Sequence, residues 1–358
     1  MPNQTQIIHD MFQIKGGGER LILTLCEGLP ADLVTAHVGK HTFDVTSSNF
    51  QINNLNALSS IHGIKTWYLA RAFKSFKNNH SKYKQIIYSG VASPLAVHHN
   101  NLAKNIFYCH TPPRFVYDKK DHYAAELNPL KRIAFHALIK WFKPQYETAV
   151  KKMDVILCNS HYVETRIKQN LGLQSSVVHP PCDTKHFKWI DQGNYYLSLA
   201  RHDKLKRIDK IIHAFKRMPE KKLIIASGGS ETAHLKQLAA HCPNISFTGW
   251  LEESELLQLL GGCLATIYIP LDEDFGMTPV ESMSAGKPVI CSDHGGLLET
   301  MIEGETGFAV ASSHIEHQLI KQVNKLSKNK AFSMKTACEQ RAKDFDSKLF
   351  IKKIKEFL

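Results

Sequence analysis

The sequence predicts an α/β protein of about two domains built on parallel sheets. Three observations lead there. A length of 358 residues suits about two domains. From Tyr195 onward, short β-rich apolar runs alternate with helical stretches across short loops, the pattern of parallel strands covered on both faces. At the N-terminus an apolar strand runs through a glycine turn into an apolar helix. Glycines in such a turn let backbone come close to a ligand.

The first strand is expected at Gln6–Asp10, followed by Lys15-Gly-Gly-Gly-Glu-Arg20 and a helix over Leu21–Leu29. Further strands are expected at Gln85–Ser89 and Asn105–Cys109, a long helix over about 124–151, and a strand at Asp154–Cys158. Asn159-Ser160 then caps a helix over His161–Leu171. The proline-rich run Val177 to Phe187 reads as a stiff hinge and places a domain boundary at 187/188. In the second half, strands are expected at Tyr195–Ala200, Lys222–Ser227, Ile245–Thr248, Ala265–Ile269, Pro288–Ser292 and Gly307–Val310. Amphipathic helices close the chain at about 314–327, 330–343 and 347–358.

Hydrophobic content of 43% is ample for two cores, and no apolar run reaches the roughly 18–20 residues that span a bilayer. Met1-Pro-Asn-Gln-Thr-Gln lacks the regions of a signal peptide. The eight cysteines are scattered without a Cys-x-x-Cys pair, so they read as reduced core residues of a cytoplasmic protein, with no metal site. Lys and Arg number 45 against 33 Asp and Glu, a net charge of +12 that favours an anionic partner without choosing one. A nucleic-acid-binding protein is one alternative, but no nucleic-acid motif is present and none is expected as a partner. A dehydrogenase lacks its G-x-G-x-x-G fingerprint.

The chemistry concentrates in Pro270 to Ile290. This stretch reads as strand end, acidic loop, helix start near Thr278-Pro279, glycine stop and next strand. The unpaired N–H groups of the helix start make an anion site. Glu273 lies in the loop and Glu281 in the expected first turn, with seven residues between them. Carboxylates there suit sugar and ribose hydroxyls rather than phosphate. Two acids decorating a helix start is the plainer alternative. After the strand at 195–200, Arg201 and Lys206 supply cations for phosphate oxygens, or else form a solvated basic turn. His110, within Cys-His-Thr-Pro-Pro-Arg, follows a strand where parallel sheets place ligands. The adjacent pair His98-His99 reads as a loop feature.

Residues 59–84 interleave Lys65, Arg71, Lys74, Lys77, Lys82 and Lys84 with Trp67, Tyr68, Phe73, Phe76 and Tyr83. Two readings stand side by side: a helix docking on an anionic membrane surface, and an ordinary helix with its aromatics packed inward.

Together these motifs resemble glycosyltransferase family 4, the retaining enzymes of the GT-B fold, and its mannosyltransferase-like branch in particular. The resemblance runs from residue 6 to about 310. It rests on the Glu273-x7-Glu281 signature, Gly16-Gly17 after the first strand, Cys-His-Thr-Pro-Pro-Arg, and Pro-Pro-Cys-Asp-Thr-Lys-His-Phe187. It implies two Rossmann-like domains facing a central cleft: an acceptor domain at 1–187, a nucleotide-sugar domain at 188–340, and a final segment, 341–358, packing back on the first domain. It also implies the roles. Glu281 holds ribose hydroxyls, and Glu273 contacts the transferred sugar. Backbone N–H groups of Phe275, Gly276 and Met277 bind that sugar, and Thr278 binds diphosphate. Arg201 and Lys206 neutralise the leaving diphosphate. The base lies against Gly249, Trp250 and Leu251, Gly16 and Gly17 face the cleft, His110 sits near the transferred sugar, and Arg114 faces an acceptor or pairs within its loop. No cofactor beyond the nucleotide-sugar is implied. The donor is GDP-mannose, with a UDP-sugar as alternative, because Asp274 replaces a glycine common in relatives. The acceptor is a lipid-linked or cell-surface glycan, and the protein is cytoplasmic or peripheral on the inner face of the membrane.

Overall fold

The computed structural model describes residues 4–40, 42–45, 50–57, 64–77, 82–97 and 102–358. His98-His99 and parts of the 59–84 segment lie outside those residues. The chain divides into two compact units, Met1–Pro180 with Phe350–Leu358, and Pro181–Leu349.

Among the described residues the first unit holds seven strands: β1 (Thr5–His9), β2 (Ala31–Thr35), β3 (Ile52–Asn54), β4 (Gln85–Ser89), β5 (Lys104–Cys109), β6 (Val155–Cys158) and β7 (Ser176–Val177). They form one sheet in the order β3-β2-β1-β4-β5-β6-β7, and every pair is parallel. Its helices are α1 (Gly17–Gly28), α2 (Lys65–Ser75), α3 (Lys120–Ala125), α4 (Pro129–Val150) and α5 (His161–Leu171). β1 is buried at all five positions, as a strand covered on both faces must be. One core face gathers Ile7, Leu21, Leu25 and Leu33, the other Ile8, Phe73, Phe107 and Phe142.

The second unit holds β8 (Tyr195–Ser198), β9 (Lys222–Ala226), β10 (Ile245–Gly249), β11 (Ala265–Tyr268), β12 (Val289–Ser292) and β13 (Gly307–Val310). This sheet is also wholly parallel, in the order β10-β9-β8-β11-β12-β13. Its helices are α6 (Ile208–Lys216), α7 (Thr232–Leu238), α8 (Glu253–Gly262), α9 (Met277–Ser284), α10 (Ile315–Lys325), α11 (Lys328–Ser333) and α12 (Lys335–Ala342). α6 buries Ile208, Ile211, Ile212 and Phe215 on one stripe, each worth about 2 kcal/mol of apolar burial. None of the eight cysteines forms a disulfide, and all but Cys242 are buried.

Several elements differ from the sequence expectation for identifiable reasons. The helix expected over 124–151 is two helices, because the Asn128 side chain accepts from Lys131 N and Pro129 opens a new helix. α1 starts at Gly17 rather than Leu21, with Gly16 as its N-cap. The two units part between Pro180 and Pro181 rather than at 187/188, and the Cys182-Asp-Thr run that follows is tied to the second unit. Cys182 N donates to Phe345 O at 2.8 Å, and Thr184 Oγ1 donates to Asp346 at 2.6 Å. Residues 341–349 stay with that unit too. The last helix, α13 (Ser347–Lys355), sends Phe350 and Ile354 into the core of the first unit, where the Phe350 ring lies 6.1 Å from that of Tyr108.

In the basic aromatic segment, α2 buries Leu69, Ala70 and Phe73, and Phe76 and Tyr83 pack partly against the same core. Lys82 is held by Asp32 at 2.9 Å. Most of its described aromatics therefore point inward.

Candidate active site

Parallel sheets bind ligands where strand order reverses direction, at the carboxyl ends of the two strands flanking that point. In the second unit this point lies between β8 and β11. β8 leads into Arg201–Arg207, and β11 leads into the acidic loop and α9.

The two connections are tied together. Arg207 donates from Nε to Ile269 O at 2.7 Å and from Nη2 to Pro270 O at 2.9 Å, and Leu271 N donates to Leu205 O at 2.7 Å. This brace presents Lys206, whose Nζ donates to Glu273 Oε2 at 2.6 Å and to the Tyr268 hydroxyl at 2.8 Å. Both members of the ion pair are about one-fifth exposed, at 22% and 21%, so a ligand can reach them. Tyr268 ends β11 and is buried. Burial first, then the neighbouring Glu273 carboxylate, push its phenol well above the usual range, so it stays a neutral hydroxyl. Glu281 and Arg201 also act electrostatically on Tyr268. The structure thus gathers Arg201, Lys206, Glu273 and Glu281 around one tyrosine that the sequence reading passed over as a strand residue.

α9 starts at Met277, with Gly276 as its N-cap at φ +94°. Glu281 is therefore the fifth helical residue, one or two positions deeper than expected from a start at Thr278-Pro279 and just past the first turn. The loop before it is braced from the next connection, where Gly296 N donates to Glu273 O at 2.9 Å. A Cβ on Gly296 would fall 2.2 Å from Asp274 O, so only glycine fits this approach. Phe275 buries its ring against Phe345, leaving backbone to line the loop.

On the other side of β8, Ser227 N donates to Gly249 O at 2.8 Å, joining the ends of β9 and β10. Trp250 is 73% exposed, and a Cβ on Gly228 would lie 2.7 Å from its indole nitrogen. An exposed ring held against a glycine turn is a stacking platform. Leu251, beside it, is partly buried against the core.

In the first unit, strand order reverses between β1 and β4, where His9 pairs in register with Ser89. His9 Nδ1 donates to Ser89 O at 3.2 Å, and Ser89 Oγ lies 2.8 Å from His110 Nε2. Burial lowers His110 to about 4, and burial with the adjacent His110 lowers His9 to about 3, so both rings are neutral at physiological pH. Gly16 and Gly17 start α1, and a Cβ on Gly18 would sit 3.9 Å from His110 Cε1, which puts that turn beside the ring. Asp10, unread in the sequence, accepts from the N–H groups of Val91, Ala92 and Ser93 and holds the turn after β4. Arg114 is engaged within its own loop: it pairs with Asp118 at 3.1 Å, and Arg166 approaches the same carboxylate at 2.5 Å.

Residues 183–345 match the family described as glycosyl transferases group 1. The α-1,3/1,6-mannosyltransferase ALG2 of Dictyostelium discoideum is 26% identical over 369 residues, covering 84% of each chain. That of Kluyveromyces lactis is 27% identical over 376 residues, covering 84% of this chain and 71% of that one. Among solved structures, sucrose-phosphate synthase from Thermosynechococcus elongatus superposes with a TM-score of 0.79 at 17% identity, covering 99% and 98% of the two chains. Anabaena HepE in complex with UDP and glucose gives 0.77 at 15% identity over 99% of each. These likenesses carry the fold, which is the GT-B architecture expected from the motifs. The chain is a glycosyltransferase, and its residues 183–345 match the family of glycosyl transferases group 1.

Proposed function

We propose that this enzyme transfers mannose from GDP-mannose to a lipid-linked glycan acceptor, retaining the anomeric configuration. One observation carries the reading: Lys206 bridges Glu273 and Tyr268 at the β8/β11 reversal, directly before the start of α9. The names of the similar mannosyltransferases support the sugar and favour GDP as its carrier.

The roles follow from chemistry. Breaking the sugar–phosphate bond leaves negative charge on the nucleotide diphosphate. Lys206 and Arg201, with the N–H groups at the start of α9, stabilise that charge because they are in place before it develops. Without donor, Lys206 rests on Glu273. Arrival of the diphosphate draws the ammonium to phosphate and releases the Glu273 carboxylate to accept from sugar hydroxyls. Tyr268 holds both side chains within reach during the exchange. Glu281 takes the ribose hydroxyls, and the base stacks on Trp250. In the first unit, neutral His110 is a hydrogen-bonding group rather than an acid.

Purified protein incubated separately with GDP-mannose, UDP-glucose and UDP-N-acetylglucosamine tests the reading. Slow GDP release from GDP-mannose alone, abolished by Glu273→Ala, is the expected result. Preference for a UDP-sugar overturns the donor and leaves the enzyme class standing.

A further inference from the structure

α4 is apolar on two opposite sides. One side, with Ile139, Phe142 and Tyr146, is buried in the first unit. The other carries Leu130, Ile133, Ala134, Ala137 and Trp141, recurring at spacings of three and four and so forming one stripe along the helix. At about 100° per residue this stripe faces away from the buried side. All five are exposed, Leu130 to 80% and Ile133 to 68%. Single exposed apolar residues are ordinary, but a continuous stripe of them marks an interaction surface.

The charge around the stripe identifies the partner. From Asn128 to Tyr146 the chain carries Lys131, Arg132, Lys140 and Lys143 and no Asp or Glu. Lys131 and Lys140 are exposed, and helical geometry puts them at the two edges of the stripe. Arg132 and Lys143 are partly engaged, by the Ala124 and Leu127 carbonyls and by Glu147. α2 lies alongside: Lys74 donates to Gln145 at 2.8 Å, and Arg71 and Tyr68 are exposed. A second copy of the chain docked through the same stripe would bring two cationic borders together, in a molecule of net charge +12. An anionic lipid surface meets both features, apolar stripe to the acyl boundary and cations to the headgroup phosphates.

We propose that the exposed face of α4, rather than the described part of the 59–84 segment with its largely inward-packed aromatics, docks this enzyme on an anionic membrane. The contact is peripheral, since no helix among the described residues is long and apolar enough to cross a membrane. The proposal does not depend on the donor, so vesicle binding and donor turnover can fail separately.

Co-sedimentation with phosphatidylcholine vesicles, with and without phosphatidylglycerol, tests it. Wild type is expected to bind the mixed vesicles at least about tenfold better than phosphatidylcholine alone. A Leu130→Glu/Ile133→Glu double variant loses that binding by about tenfold or more, with Tm and GDP-mannose hydrolysis unchanged. Lys131→Glu/Lys140→Glu loses the phosphatidylglycerol preference. Absence of wild-type binding overturns the proposal, as does binding that the first double variant retains in full. A wild-type dimer that becomes monomeric in that variant also overturns it, and assigns the stripe to a second copy.

Discussion

Lys206 Nζ stands 2.6 Å from Glu273 Oε2, and the Tyr268 hydroxyl accepts from the same ammonium. The cation comes from the connection after β8 and the carboxylate from the connection after β11. The pair therefore spans the point where the order of the second sheet reverses. An ion pair that solvent still reaches in this way adds little stability, because solvent screens it. Its value lies in holding opposite charges ready for a ligand that carries a diphosphate on one side and a sugar on the other.

Lys206→Ala is expected to lower kcat for GDP-mannose hydrolysis by about 100-fold or more, the usual cost of removing one charge-stabilising donor from a transition state. Tm should move little. Steady-state rates beside thermal unfolding separate the two effects; a large fall in Tm with unchanged kcat would give Lys206 a structural role instead.

Trp250→Ala should leave folding within about 1 kcal/mol of wild type, as the ring is mostly exposed. Loss of a base-stacking platform should weaken GDP binding by about 1–3 kcal/mol. Calorimetric titration with GDP reads this directly, and unchanged affinity would move the base elsewhere.

His9 and His110 set an acid limit on the fold. Their folded values, about 3 and about 4, lie below the usual 6.5. The unfolded chain therefore binds more protons between those values, and stability falls as pH drops from about 6.5 towards 3. Tm measured across this range should decline in wild type and decline less steeply in His110→Gln. An equal slope in the variant would remove His110 from the acid response.

Gly276→Ala should destabilise by about 2 kcal/mol or more, since it adds a Cβ at φ +94° and 2.4 Å from Leu297 Cδ2. Gly172→Ala has φ +68° but open space, and should cost only about 1 kcal/mol. Urea unfolding of both variants compares strain with strain plus overlap. Equal costs would show that the Leu297 side chain yields freely.

The parts of this fold that were legible in the sequence are those governed by local rules. Helix His161–Leu171 has the bounds read from it, because Ser160 caps it and Gly172 ends it at φ +68°. Strand Gly307–Val310 also has its expected bounds. α9 starts one or two residues earlier than expected because its start depends on a glycine with positive φ, and Pro279 falls third in the helix rather than first. Tyr268, Ser89 and Asp10 resemble ordinary strand-end residues until parallel pairing brings distant connections side by side. The exposed stripe of α4 was hidden for a related reason. Periodicity shows that a helix has two apolar sides, but only packing decides which one is buried.

The most direct test of the account is a paired calorimetric titration of GDP and GDP-mannose against wild type, Lys206→Ala and Glu273→Gln. The account predicts that Lys206→Ala weakens both ligands. It predicts that Glu273→Gln leaves GDP binding intact while removing the extra affinity contributed by mannose. GDP binding lost in Glu273→Gln, or undiminished in Lys206→Ala, would contradict the division of diphosphate and sugar between these two residues.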